Sequence, residues 1–552
     1  MNKSYIKNIK IKKIDKVRRF LELNNKKIGI FLNGIIALMF SQIVVKILGM
    51  IYSLYLTNKE GFGDSGNAIY ISSYQIYAVF LTISSIGIPN AVSKMIAESL
   101  GIGDTRGAKR IFRVAIAIFS LIGFLCSLGL YICSDFIAQN LLGIKAAADI
   151  LKILSPSIFF VSIASVIRGY FNGKQNIKIS ATALSFEQAI KTGLTIIIVE
   201  FVSRKTNFNT EIMAKSAMIA ASVATIFSFV YIFFRYVIQE RKNKTDYELG
   251  ITSIKKSARQ IFKEILAISI PLSIASFVMV LGKNIDSITI MNLLKDKLGE
   301  ELARERYGIL SSKVELLSEF PMSLNGAIAI SLIPEVAKLN ALNRSYELNK
   351  KIDFSLSMTV FIVIPIMIGM FFYSNDIINL LYPNANKGGE LLRLASISII
   401  FCGLTQTITG IMQGVGEVKP YLKAISISMI IKLFLNLILI PIDGLLEKGA
   451  IISSIVYDVI IFIVVYSKMK EKLDLKLNIL SNIIRFSSIT VIAIFSTNIL
   501  MDNFNLPVRI NTIFEILSVA FIYFILAIII FKKNNFAQNI FNFNNAKRLK
   551  NQ

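Results

Sequence analysis

The chain has 552 residues, 54% hydrophobic and only 17% charged, with a formal net charge of +26 and a mean hydropathy of +0.62. That length would give a soluble protein roughly three or four domains, but apolar residues come in blocks of about 20, what a helix needs to cross ~30 Å of hydrocarbon. This composition excludes a soluble nucleic-acid-binding protein despite the charge, the absence of histidine excludes histidine-built zinc sites and proton relays, and three scattered cysteines (Cys126, Cys133, Cys402) exclude a disulfide framework.

The chain opens on a basic stretch, Met1–Lys27, with ten Lys/Arg. It is too long for a signal-peptide n-region, and the apolar run behind it has no small-residue cleavage site. A retained first helix after a cytoplasmic tail at 1–29 is predicted. Fourteen spans follow, near 30–56, 67–91, 112–134, 149–171, 180–201, 214–237, 264–292, 308–337, 353–374, 392–413, 420–441, 449–467, 484–501 and 512–531. The second and eighth are the most polar. With the N-terminus in the cytoplasm, alternate connections carry about 41 Lys/Arg inside and about 13 outside. The alternation runs through to the tail at 533–552, so both termini are expected inside a bacterial cytoplasmic membrane.

The largest connection is polar and basic, Arg235–Lys263, and it divides the first twelve spans six and six. The expected organisation is an N-lobe at 30–237, a linker at 238–263, a C-lobe at 264–469 and two further spans within 470–532. Six is even, so the halves are parallel repeats related by an axis along the membrane normal. Two echoes support the duplication. Gly169, Gly173 and Lys178 recur as Gly410, Gly414 and Lys419 at an offset of 241, and Pro89 recurs as Pro334 at 245. The expected fold is therefore all-α and polytopic, with fourteen transmembrane helices.

No enzyme motif survives. Gly169–Lys174 is one residue short of a phosphate loop and lacks its Ser/Thr. No catalytic residue, metal site or resident cofactor is expected; a coupling cation, Na+ or H+, is the one auxiliary left open. The informative residues are charges at membrane depth, which face protein or water: Lys46, Glu187, Lys191, Lys283, Asp286, Lys313, Glu315, Glu319, Lys432 and Asp458. Glu187/Lys191 and Lys283/Asp286 share helix faces. Each pair is either a self-neutralising bridge that fixes packing or a functional element. Lys432 and Asp458 lie close enough to span ends to snorkel in a structural role.

Lys46 has no carboxylate neighbour on its own helix, and with Lys283 it would give one cation per half. Such a pair suits an anionic headgroup, a phosphate or pyrophosphate. Asp286 and Glu319 would tune it or bind a coupling cation, and Lys313 and Glu315 complete the expected headgroup site. The tyrosines carry only their usual interfacial role. Pro89, Pro334 and Arg168 are expected gate or kink positions, and the two Gly-xxx-Gly steps permit close helix contact.

The stretches KILGMIYSLYLTNKEGFGDSGNAIYISSYQIY from Lys46, SSIGIPNAVSKMIAESLGIGDTRGAKRIF, and RGYFNGKQNIKISATALSFEQAIK at 168–191 resemble the stage V sporulation protein B group of polysaccharide-type lipid flippases. That group belongs to the multidrug/oligosaccharidyl-lipid/polysaccharide exporter superfamily. The resemblance implies two six-helix lobes around a V-shaped cavity lined by helices one, two, seven and eight, with the last two helices forming a groove for a lipid tail. It implies alternating-access translocation of an undecaprenyl-pyrophosphate peptidoglycan precursor (lipid II type), for spore cortex or cell wall. The partners would be a lipid-linked saccharide, the bilayer and cell-wall synthesis proteins, with no nucleic acid. Related lipid II flippases carry cavity arginines; Lys46 stands where one is expected, and Tyr52 where another could be. The alternative is a cation-coupled multidrug antiporter of the same superfamily, which needs embedded acids and normally stops at twelve helices.

Overall fold

The computed structural model describes residue 37 and residues 40–85, 87–242, 256–473, 479–501 and 507–533. The expected basic tail at 1–29, most of 30–39 at the start of the expected first span, the middle of the expected linker, 243–255, and all but the first residue of the expected tail at 533–552 lie outside the described residues. Among the described residues the chain is helical throughout, without a strand.

The helices are α1 Phe40–Asn58, α2 Gly63–Ser85, α3 Ile88–Gly101, α4 Thr105–Phe136, α5 Ala147–Gly173, α6 Ile177–Lys205, α7 Thr210–Lys242 and α8 Ala258–Leu298. They continue as α9 Glu300–Gly308, α10 Glu315–Ala341, α11 Ser345–Phe372, α12 Ser374–Leu381, α13 Gly389–Ser396, α14 Ser398–Val415, α15 Lys419–Leu439, α16 Glu447–Leu473, α17 Ile479–Met501 and α18 Val508–Lys533. Among the described residues, thirteen helical stretches are long and apolar enough to cross a membrane. The expected eighth span is a helix as well, the 27 residues of α10, although it is not among those thirteen.

The second span is not one helix. Gly87 takes φ +84 after α2 has ended, and Pro89 sits in the first turn of α3, where its missing N–H leaves no intrahelical bond unmade. Proline stands inside several helices, among them Pro156 in α5 and Pro365 in α11. Pro334 falls within the bounds of α10.

Contacts divide the chain into two units. Unit 1 holds residues up to Leu56 and Ile69–Asn284; unit 2 holds Thr57–Ala68 and everything from Ile285. The division therefore falls inside α8, not in the basic connection, because α8 runs unbroken from Ala258 to Leu298 and gives its two halves different neighbours. Within unit 1, α3 packs on α5, α5 on α7 and α6 on α7; within unit 2, α10 packs on α14, α14 on α16 and α15 on α16. Helices α17 and α18 pack on each other, and α17 lies along α11.

The glycines of the repeat show why the packing recurs. A Cβ on Gly169 would lie 3.0 Å from the Pro89 carbonyl oxygen, and one on Gly173 2.8 Å from that of Ser93. In unit 2 a Cβ on Gly410 would lie 2.6 Å from the Ala329 oxygen, and one on Gly414 2.9 Å from that of Ile333. Both Gly-xxx-Gly steps thus bring a helix against a neighbour's backbone, as small residues allow. By this contact Pro89 corresponds to Ala329, so Pro334 lies several residues beyond its structural counterpart.

Candidate functional site

In unit 1, α1 lies along α6. Ser41 Oγ donates to the Ala181 carbonyl at 2.8 Å, and Thr192 Oγ1 to that of Leu48 at 3.3 Å. This register brings Tyr52 beside Lys191. The Lys191 ammonium sits 4.9 Å from the Tyr52 ring centroid, 5.0 Å from Tyr74 and 5.8 Å from Tyr70, the latter two from α2. Ring faces attract a cation by roughly 0.5–2 kcal/mol each, depending on desolvation. They do not neutralise it.

One turn earlier on α6 stands Glu187, which lines the same cavity as Lys191. It pairs with Arg168 of α5 at 3.3 Å and stands 3.5 Å from the Thr225 hydroxyl of α7. Among the described ion pairs Lys191 has none, so the expected Glu187/Lys191 bridge gives way to an interhelix pair. Arg168, expected as a gate, belongs to this cluster.

Arg168, Glu187, Gln188, Lys191, Tyr74, Tyr77 and Thr225 line a cavity of about 240 Å³, closed by apolar residues such as Val45, Leu81 and Leu154. Two cations face one carboxylate there, so the cavity carries net positive charge. The Tyr70 hydroxyl and the Arg168 Nε are buried nearby without a hydrogen-bond partner.

Unit 2 treats the corresponding position differently. Lys432 follows Lys191 by 241 residues, the offset of the paired glycines. It is buried, bonded to Asp286, and lies 5.3 Å from the Tyr457 ring centroid. The other Asp286 oxygen accepts from Asn436 at 3.2 Å. Lys432 therefore does not snorkel, and Asp286 finds its partner on α15 and not at Lys283. Asp458 of α16 faces the Cys402 thiol.

Lys313 is fully buried in a π-helical turn, Ile309–Val314, ahead of α10. Its ammonium donates to Asp64 at 2.8 Å and to the carbonyls of Ala385 and Lys387 at 2.5 and 3.2 Å. Three donors meet three acceptors, which leaves no donor for a ligand. The expected headgroup role of Lys313 is replaced by a structural lock. Glu315 is half-buried and Glu319 exposed. Lys46 and Lys283 are both exposed, and both count with unit 1 instead of one with each half.

Sequence reasoning missed the tyrosines around Lys191 and missed Asp64. The available signal for the first was Tyr70 and Tyr74 at one helical turn's spacing on the expected second span, with Tyr52 on the first.

Residues 31–340, more than half of the chain, match the family described as polysaccharide biosynthesis protein. The chain belongs to that family. Residues 271–438 also match the MatE family. Among curated relatives, the lipid II flippase MurJ of Bacillus subtilis (strain 168) is 23% identical over 449 residues, covering 78% of this chain and 82% of that protein. Stage V sporulation protein B of the same organism is 24% identical over 313 residues, covering 56% of this chain and 58% of that protein. A solved structure of lipid II flippase MurJ in an inward closed conformation shares the fold, with a TM-score of 0.66 and 18% identity over 91% of this chain and 99% of that one. This member of the polysaccharide biosynthesis protein family is thus a multi-pass membrane protein by its helices, with the fold of the solved lipid II flippase.

Proposed function

We propose that this protein flips a lipid-linked saccharide with a phosphate or pyrophosphate headgroup, of the undecaprenyl-linked peptidoglycan-precursor type, across the membrane with both termini in the cytoplasm. The observation that carries the reading is the net-positive cavity of unit 1, where Lys191 rests on tyrosine faces and Arg168 shares its one carboxylate. An embedded cation without a counter-ion is costly in lipid, and an anionic headgroup supplies the missing charge with charge-assisted hydrogen bonds. Lys46, exposed on α1 before Tyr52, supplies the next cation along the path. The names of the relatives, a lipid II flippase and a sporulation protein, support the substrate class.

The MatE match supports a second reading, a cation-coupled multidrug antiporter. Embedded acids would have to serve it. Asp286 is committed to Lys432 and Glu187 to Arg168, which weighs toward the flippase, while Asp458, facing the Cys402 thiol, is the acid such an antiporter would have to use.

The test is translocation in proteoliposomes of a fluorescent undecaprenyl-pyrophosphate saccharide, beside gradient-driven efflux of a cationic dye. Lys191→Met is expected to slow lipid translocation at least tenfold. Dye efflux without lipid movement would overturn the flippase reading in favour of the antiporter.

A further inference from the structure

Among the connections of unit 2 lies a second cavity of about 490 Å³, built by other residues and within the size range of small-molecule sites. Three ion pairs ring it: Lys387–Glu305 at 2.6 Å, Lys448–Glu390 at 2.8 Å, and Arg306–Glu447. These charges sum to zero, so a bare ion of either sign gains little there.

Two opposite features of the lining stay unsatisfied. Glu447, 6% exposed, gives one carboxylate oxygen to Arg306, while the other is buried without a donor. A buried acceptor on a charged group left this way costs more than the ~1–3 kcal/mol of a neutral one. Across the lining, α13 begins after Gly388 at φ +117 and has no side-chain cap, so its first amides are open donors at the positive end of the helix. A Cβ on Gly388 would meet Ile309 Cγ2 at 2.7 Å, and one on Gly389 would meet Asn375 Oδ1 at 1.9 Å. Both positions require glycine, and the wall there is bare backbone.

An unpaired carboxylate oxygen and an uncapped helix start on one cavity fit a ligand that carries both an ammonium and a carboxylate. We propose that this cavity binds a zwitterionic amino-acid or short-peptide unit, its ammonium on Glu447 and its carboxylate on the amides that open α13. This site does not depend on the flippase reading.

Calorimetry on the full-length protein in detergent tests it with three probes. Diglycine is expected to bind, whereas N-acetyl-diglycine, which lacks the ammonium, and glycylglycinamide, which lacks the carboxylate, should each bind at least tenfold more weakly. In Glu447→Gln the preference for diglycine over its acetylated form should disappear. The probe comparison on the unaltered protein stands even if that variant fails to fold. No heat with diglycine, or equal binding of all three probes, overturns the proposal. In proteoliposomes, diglycine that slows a peptide-bearing lipid-linked saccharide but not a peptide-free one places the unit on the cargo; equal action on both makes it a free ligand.

Discussion

Lys432 is bonded to Asp286, while Lys191, which precedes it by the 241 residues that separate the paired glycines, lies on tyrosine rings with no carboxylate paired to it among the described residues. One position of the duplicated unit thus carries the same residue in two electrostatic states. In unit 2 the charge is spent on structure. In unit 1 it remains available.

The two lysines should therefore respond differently to removal. Lys432→Met leaves Asp286 buried and unpaired, a loss of about 3–5 kcal/mol, whereas the double replacement Lys432→Met/Asp286→Leu should return to near neutrality. Lys191→Met forfeits only ring contacts, about 0.5–2 kcal/mol for each of three rings, and leaves no carboxylate unpaired, yet should slow transport. Thermal unfolding in detergent, run beside translocation, separates these outcomes. Equal destabilisation by both single variants would remove the asymmetry.

The buried Lys313–Asp64 pair makes a related prediction. Lys313→Met should destabilise the protein by about 3–5 kcal/mol, because Asp64 then lies buried beside carbonyl oxygens. Asp64→Asn should cost less, since the amide still offers an acceptor oxygen. A melting series of the two variants checks the order, and a wild-type-like Lys313→Met protein would mean that water reaches the site.

These pairs also mark where the chain could be read and where it could not. The spans were legible because each is an apolar block long enough for the bilayer, and the eighth, polar as it is, was caught by charge alternation on either side. The duplication was legible from the glycines because they answer a backbone contact that no larger residue permits. The charge partners were not. Helical spacing proposes Glu187 with Lys191 and Lys283 with Asp286, but it sees only neighbours on one helix. The actual partners, Arg168 and Lys432, come from other helices, and Asp64 lies 249 residues before Lys313. The tyrosines were discounted because an interfacial role explains most tyrosines in membrane proteins; only the convergence of α1, α2 and α6 shows that three of them surround one ammonium.

The close helix contacts can be tested by adding a single carbon. Gly410→Ala places Cβ about 2.6 Å from the Ala329 carbonyl oxygen, and backbone cannot yield as a side chain does, so a loss of about 1–3 kcal/mol is expected. Gly193→Ala, with nothing within 4 Å of its new Cβ, should instead gain about 0.5–1 kcal/mol from helix preference. Melting temperatures that move together would show that the glycine contact is not tight.

Outside the spans, acid should act through exposed ion pairs. A hydrogen bond from Lys297 holds the Asp443 carboxyl below its ordinary pKa, and one from Lys448 does the same for Glu390. A lowered folded-state pKa stabilises above the unfolded value and loses that contribution as pH falls through the folded one. Melting temperature should hold from neutrality to about pH 5 and decline below about pH 4. The decline should be shallower in Asp443→Asn/Glu390→Gln and at high salt; an identical slope in the double variant would assign acid sensitivity elsewhere.

The short segment Thr57–Ala68 counts with unit 2 although its flanking stretches count with unit 1, and this bears on how the molecule is made. Asp64 leaves the ribosome 249 residues ahead of Lys313, a wait of roughly 12–50 s at typical elongation rates of about 5–20 residues per second. During that interval the early segment carries a carboxylate whose partner does not yet exist. Halves synthesised from separate genes, cut at the basic connection, would divide unit 2 between two polypeptides, and the later half alone would bury an ammonium without its counter-ion. A chain of two repeats is in this way expected to be indivisible, since its second half draws the partner of a buried ammonium from the first.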